Sequence, residues 1–239
     1  MKKLSIIIPV YNEEKTVGKL LKKVLSIKFS VKQVEYIVVD DGSTDASASV
    51  ISKSEVGNPK FMFIKHKKNQ GKGAAVRTGL KKATGDYVVI QDADLEYAPK
   101  DIGKLIEKLE EGNAKVVYGT RLRRLPNFRR DERTLRFLIQ YIGNKCLSLI
   151  TSILYFQWIT DMECGYKLVP REALKDIRLQ ARSFDFEPEI TAKLLKKGYK
   201  IAEVSISTNP RNYEEGKKLR PFRDGPKALW TLLKYRFVE

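Results

Sequence analysis

The sequence has little of what metal and redox chemistry through sulfur and nitrogen requires. Its 239 residues include two cysteines, Cys146 and Cys164, and one histidine, His66. Two cysteines cannot build a disulfide framework or a zinc site with four cysteine ligands. A single histidine argues against a multi-histidine metal centre and gives a Ser-His-Asp hydrolase little support; all three residues read as structural. No run of about 18 residues is apolar throughout, so no transmembrane helix is expected. Met1-Lys2-Lys3 runs straight into strand-like residues, without a signal-peptide apolar region or small-residue cleavage site. The expectation is therefore a cytoplasmic protein, soluble or at a membrane surface. Acidic residues are also outnumbered: 29 Asp and Glu against 46 Lys and Arg leave a formal net charge of +17. That balance favours anionic partners, whether nucleic acid, an anionic membrane surface or phosphorylated substrates.

What is present is globular. The hydrophobic fraction is 42% and the charged fraction 31%, which excludes a disordered chain. Leu4 to Val10 is a nearly continuous apolar run, as in a strand buried on both faces. Asn12 is placed to cap a helix with apolar positions Val17, Leu20, Leu21, Val24 and Leu25. Further strands read at Glu35 to Val39, Phe61 to Lys65, Tyr87 to Gln91 and Lys115 to Gly119, with helices from Gly71 to Lys82 and around Lys104 to Leu109. This alternation predicts an α/β fold with a mostly parallel central sheet and helices on both faces. Ligands in such folds bind at the carboxyl ends of strands, where Asp40, Asp41, Asp92, Asp94 and Arg121 fall.

The second half differs. Seven arginines lie between Arg121 and Arg136. An apolar stripe follows through Leu135, Leu138, Ile139, Ile142, Cys146, Leu149, Ile150, Ile153 and Leu154, opposed by a polar stripe at Arg136, Gln140, Asn144, Ser148 and Thr151. A helix near Glu187 to Lys197, a strand near Ile201 to Val204, a basic segment from Arg211 to Arg223 and a helix from Pro226 to Arg236 with Trp230 and Leu233 complete the chain. Such an apolar stripe packs on its own protein's core or lies in a membrane interface, flanked here by cations that attract anionic headgroups.

Asp92-Ala93-Asp94 carries the sharpest chemical signal. Two carboxylates one residue apart, just after a buried strand, can reach one hard divalent cation, Mg²⁺ or Mn²⁺. Glu96 is either a third oxygen ligand or a solvated residue before Ala98-Pro99. Asp40-Asp41-Gly42-Ser43-Thr44-Asp45 reads as a strand-to-helix turn with a capping residue; a carboxylate there can also accept from a nucleotide base or ribose. Gly71-Lys72-Gly73 lacks the P-loop pattern. It is either a plain glycine turn or a helix start at which backbone N–H groups and Lys72 approach phosphate.

Four ordered motifs, Ile6 to Glu14, Val38 to Asp45, Gly71 to Ala75 and Gly85 to Asp94, resemble the inverting family 2 glycosyltransferases of the GT-A fold. Tyr118-Gly119-Thr120-Arg121, Asp161 to Tyr166, Phe184 to Glu187 and Glu214 to Lys218 narrow the resemblance to polyprenyl-phosphate hexosyltransferases such as the dolichyl-phosphate mannose and glucose synthases. The resemblance implies one catalytic domain over residues 1–239, with a nucleotide-sugar and metal half at 1–120 and an acceptor-binding, membrane-facing half at 121–239. It implies metal-dependent transfer of mannose or glucose from a nucleotide sugar (GDP-mannose or UDP-glucose) to dolichyl or undecaprenyl phosphate, with inversion. Pro9, Tyr11, Glu13 and Asp41 then contact base and ribose, and Lys72, Asp92, Arg211 and Lys217 the rest of the donor. Asp92, Asp94 and Glu96 hold Mg²⁺ or Mn²⁺, although the family often has Gln at the last position. Arg121 with Arg130 or Arg133 holds the acceptor phosphate, and Asp161 lies near the sugar as an organiser. Asp92, Asp94, Arg121 and Asp161 form the catalytic set.

A lipid phosphate is already anionic near neutral pH, so no catalytic base is demanded. The protein is expected to be peripheral on the cytoplasmic face of a membrane, with room for a membrane-embedded partner subunit. One alternative is a family 2 transferase with a glycan or other hydroxyl acceptor, which requires a base. The other is a non-catalytic basic protein binding membrane or nucleic acid. It leaves the ordered acidic motifs unexplained, and nucleic-acid motifs are absent.

Overall fold

The computed structural model describes residues 1–55, 59–122, 135–183, 185–211 and 221–238. Seven strands form one sheet: β1 (Lys3–Val10), β2 (Gln33–Asp40), β3 (Phe61–Lys65), β4 (Tyr87–Ile90), β5 (Val116–Thr120), β6 (Lys167–Pro170) and β7 (Ile201–Ser205). Their order is β3-β2-β1-β4-β6-β5-β7. Only β6 runs against its neighbours, pairing antiparallel with both β4 and β5. The helices are α1 (Val17–Ser26), α2 (Ser47–Glu55), α3 (Lys72–Lys82), α4 (Asp101–Glu110), α5 (Leu135–Tyr155), α6 (Arg171–Lys175), α7 (Phe186–Lys196) and α8 (Pro221–Phe237).

Period-two alternation explains the unbroken apolar run of β1. Leu4, Ile6, Ile8 and Val10 face one side, against Val17, Leu20, Leu21 and Val24 of α1 and Ile102, Leu105 and Ile106 of α4. Ile7 faces the other side, with Ile37, Val39 and Ala75. A further cluster joins β5 and β6 to α7 and α8 through Tyr118, Val169, Phe186, Ile190, Leu194 and Leu232. The expected mostly parallel sheet with helices on both faces is thus observed.

Several local expectations are corrected. Asn12 does not cap α1, which begins at Val17 after Thr16. Asn12 takes a left-handed φ of 51°, and its Oδ1 accepts from the Thr44 backbone N–H at 2.9 Å. Asn tolerates this conformation, and its short amide substitutes for a backbone partner. Its work is to tie the loop after β1 to the loop after β2. Helix α8 begins at Pro221 rather than Pro226, with Pro226 inside it.

Helix α5 is the largest surprise. Its polar stripe is the buried one: Ser148, Thr151 and Ser152 face inward. Their hydroxyls donate to the carbonyls of Asn144, Leu147 and Ser148 one turn back. Ser152 Oγ also accepts from the Ile159 backbone N–H and Ser148 Oγ from that of Met162, both at 3.0 Å. The apolar side points outward, with Ile142 58% and Ile153 64% exposed. Phe156 at 86% and Trp158 at 71% extend it just beyond the helix, and Trp230 and Phe237 of α8 are exposed too. Arg236 of α8 lies 5.7 Å from the Phe156 ring, so the outward-facing ends of the two helices meet. Of the two readings of the stripe, the core one fails for Ile142, Cys146, Leu149 and Ile153, which are exposed, and holds for Leu154, which packs on the core. Periodicity defines the two faces of a helix, not which faces inward. No helix among the described residues is long and apolar enough to cross a membrane.

Candidate active site

A pocket of about 320 Å³ opens where β1, β2 and β4 end. Pro9, Tyr11 and Glu13 reach it from the loop after β1, and Asp41 from the end of β2. Lys72 comes from α3, while Asp92, Asp94 and Glu96 follow β4. Arg121 follows β5, and Arg211 arrives from the far end of the chain. All these expected residues meet in one place. Arg130, Arg133 and Lys217 lie outside the described residues.

Asp41 is buried. Its carboxylate accepts from the backbone N–H groups of Gln70 at 3.0 Å and Gly71 at 2.7 Å, and from His66 Nδ1 at 2.7 Å. His66 Nε2 meets Thr78 Oγ1 at 2.9 Å. Much of Asp41's acceptor capacity is thus spent on shaping the loop before α3, and His66 orients it.

Gly71 and Gly73 do not leave a phosphate cradle. Gly71 has a φ of 95° and its N–H is taken by Asp41. The Gly73 N–H donates to the Arg182 carbonyl at 3.1 Å. A Cβ at either position would collide with a carbonyl oxygen, that of Arg182 or Ala181. The glycines serve close backbone approach, which presents Lys72 to the pocket. Its ammonium lies 2.8 Å from Asp92 Oδ1 and 2.8 Å from Glu187 Oε1. Burial pulls the Lys72 pKa down, but these two carboxylates more than reverse the shift.

Arg121 is fixed by Asp161, which is fully buried and does not line the pocket. Nε and Nη2 donate to the two carboxylate oxygens, each at 2.7 Å, and the Arg121 backbone N–H adds a third bond at 2.9 Å. Nη1 donates to the Tyr97 hydroxyl at 3.1 Å. Burial alone would lower the arginine's pKa; the Asp161 carboxylate more than offsets this and holds it well above the usual arginine value. Part of the guanidinium fork remains for a ligand. Asp161 itself sits on the turn held by Ser148 and Ser152, so the inverted face of α5 supports Arg121 from behind. Gln140, also on α5, reaches the pocket wall.

Arg211 lies among carboxylates. Nη1 and Nη2 donate to Glu13 at 3.0 and 3.2 Å. Nη2 lies 3.2 Å from Asp94, and Nε 3.7 Å from Glu96. The segment is held in register by the Asn209 N–H on the Glu96 carbonyl at 2.9 Å and a bridge between Tyr97 and Thr208.

Asp92, Asp94 and Glu96 offer oxygen-only donors suited to a hard divalent cation. The Asp94 carboxyl is pushed up to about 7, first by burial and then by the charges of Asp92 and Glu96. A bound cation would relieve that crowding, so the residues fit one. Among the described residues, no three acidic, histidine or cysteine side chains converge on a metal position: Asp92 turns to Lys72, and Asp94 and Glu96 to Arg211.

Sequence reasoning missed Tyr97, Gln140, Glu163 and Glu187 as pocket residues. Glu163 and Glu187 lay inside motifs used only for overall likeness. Among the described residues, Oε1 of Glu163 is buried without a hydrogen-bond partner. Its carboxyl is pushed up to about 8 by burial and then by Glu187.

Residues 5–178 match the family model described as Glycosyl transferase family 2. A UDP-N-acetylglucosamine–dolichyl-phosphate N-acetylglucosaminyltransferase of Methanococcus voltae is 32% identical over 224 residues, covering 87% of this chain and 86% of that protein. A dolichyl-phosphate beta-glucosyltransferase of Dictyostelium discoideum is 29% identical over 253 residues, covering 98% and 74%. Among solved structures, glucosyl-3-phosphoglycerate synthase from Mycobacterium tuberculosis, crystallised with Mn²⁺, UDP and glucosyl-3-phosphoglycerate, superposes with a TM-score of 0.74. It covers all of this chain and 81% of that one at 19% identity, a likeness of fold.

Proposed function

The chain belongs to glycosyl transferase family 2, and from that premise we propose that it transfers a hexose, mannose or glucose, from a nucleotide sugar to a polyprenyl phosphate, with inversion. The observation that carries the reading is the pocket's composition: an acidic group after β4 and a forked arginine after β5 share one cavity beside a helix whose apolar face is turned out. The relatives named for dolichyl-phosphate sugar transfer support the acceptor class. In this reading the whole chain is one catalytic domain, with the donor held chiefly by residues 1–120 and the acceptor by residues 121–239.

Pro9, Tyr11 and Glu13 bind the nucleoside, and Asp41 shapes the loop beside it. Lys72 and Arg211 neutralise the diphosphate. Asp92 and Asp94, with Glu96, hold Mg²⁺ or Mn²⁺, which when bound supplies charge stabilisation for the departing diphosphate. Arg121, held in register by Asp161, presents its remaining N–H groups to the acceptor phosphate. An anionic phosphate oxygen attacks the anomeric carbon from the face opposite the leaving group. The bond from that carbon to the diphosphate breaks, and the electron pair leaves with the nucleoside diphosphate. No proton needs to be removed from the acceptor.

Incubating the protein with polyprenyl phosphate, Mn²⁺ and a panel of UDP- and GDP-hexoses tests this. Label should enter the organic phase and be released by mild acid. A second reading, a hydroxyl acceptor, is favoured by Glu163, a carboxyl lining the pocket whose buried Oε1 has no hydrogen-bond partner among the described residues and so is open to an acceptor hydroxyl. Label confined to water-soluble product would overturn the lipid acceptor in its favour.

The outward apolar faces of α5 and α8, with Lys227, Lys234 and Arg236 on α8, form the proposed contact with an anionic membrane on its cytoplasmic side. Replacing Ile153 and Trp158 together by Glu should weaken flotation with anionic liposomes at least about tenfold. Both side chains are exposed, so the melting temperature should hold. Unchanged flotation would assign the face to another partner.

A further inference from the structure

The guanidinium of Arg211 lies where a divalent cation would be expected to act. It contacts Asp94 at 3.2 Å and approaches Glu96 to 3.7 Å, two of the three carboxylates after β4. It is clamped there by a two-pronged contact with Glu13 and by the backbone register of residues 208–211 along 96–97. Its Nε is buried and, among the described residues, has no hydrogen-bond partner within bonding distance. The clamp therefore serves charge neutralisation more than full hydrogen bonding. A guanidinium and a hard divalent ion compete for the same carboxylate oxygens, because each needs their lone pairs. Their binding must then be antagonistic. By reciprocity, whatever draws the arginine away favours the ion.

We propose that Arg211 is an internal counter-cation that occupies the acidic set until donor arrives, and that metal and nucleoside diphosphate enter together by exchanging it from carboxylate to phosphate. The diphosphate makes the exchange favourable, since it offers the guanidinium a new anionic fork as the ion takes the old one. The proposal rests on the donor and metal assignments above, and it gives Arg211 a role they lack: it holds metal affinity low in the absence of nucleotide. Arg211 is then a positioning residue as well as a phosphate ligand, and its two roles have opposite signs.

Those signs make the test. Mn²⁺ binding is measured by electron paramagnetic resonance of the free ion, and UDP and GDP binding by calorimetry with and without Mn²⁺, on the full chain and on Arg211→Met and Arg211→Lys. Without nucleotide, Arg211→Met should bind Mn²⁺ about tenfold more tightly than the parent. With Mn²⁺ present it should bind the nucleoside diphosphate about tenfold more weakly. Arg211→Lys, which keeps the charge but not the fork, should fall between on both measures. Mn²⁺ affinity that is unchanged or weaker in Arg211→Met overturns the exchange alone. Failure of every form to bind Mn²⁺, even with nucleotide, overturns it together with the metal assignment. If Arg211→Met does not fold, Arg211→Lys decides, since exchange still requires tighter Mn²⁺ binding than in the parent.

Discussion

Asp92→Ala should reduce sugar transfer about a thousandfold and leave the fold intact. The size follows from losing charge stabilisation at the leaving group inside a confined site, where single electrostatic contributors are worth roughly a hundred- to a thousandfold in rate. The fold should survive because Asp92 follows β4 rather than lying within it, and Lys72 keeps Glu187 as a partner at 2.8 Å. Incorporation of label into organic-extractable product measures the first claim, and thermal melting the second. Full activity of Asp92→Ala in saturating Mg²⁺ and Mn²⁺ would remove Asp92 from the metal set. A large fall in melting temperature would mean that the Lys72–Asp92 contact holds the structure together rather than the reaction.

Asp161→Ala should damage both stability and activity, and a second substitution should separate the two. Asp161 is fully buried and takes three hydrogen bonds from Arg121. Removing one member of such a pair leaves an uncompensated charge and costs about 3 kcal/mol or more. In a domain of this size that lowers the melting temperature by roughly 6–12 °C. Exposed ion pairs carry far less, but the Arg121 side chain is only 21% exposed. Replacing both residues, Arg121→Met with Asp161→Ala, removes the orphaned charge and should restore much of the lost stability. Transfer should not recover, because the fork for the acceptor phosphate is gone. Recovery of transfer in the double variant would show that Arg121 serves only the fold.

The first half of the molecule was legible because its signals are local. Buried parallel strands read as continuous apolar runs, and Asp41 and Asp92 stand at the strand ends where such sheets bind ligands. The second half hides its logic in long-range contacts. Glu13 and Arg211 are 198 residues apart in sequence and meet at 3.0 Å, and no spacing rule connects them. Strand β6 is four residues long, opens with Lys167 and ends with Pro170, so it carries no strand pattern. Lys167 is tolerated there because its ammonium donates to the carbonyls of Met162 and Cys164 and lies 4.6 Å from the Tyr118 ring. The orientation of α5 stayed open in the sequence for a different reason. Serine and threonine hydroxyls can bond back to their own helix, so a polar stripe is not obliged to face water.

Strand β6 also bears on how the chain reaches this state. It separates β4 from β5, so the sheet cannot be completed by adding strands in the order in which they are made. β5 finds its partners only in β6 and β7, and the open edge of β4 waits for the same four residues. During synthesis, the amino-terminal strands can pair early while β5 has nothing to pair with until residues 167–170 and then 201–205 have emerged. Such late, non-local closure slows folding and leaves a strand edge exposed in the meantime. The nascent chain is therefore most vulnerable to misassociation just before β6 is inserted between β4 and β5.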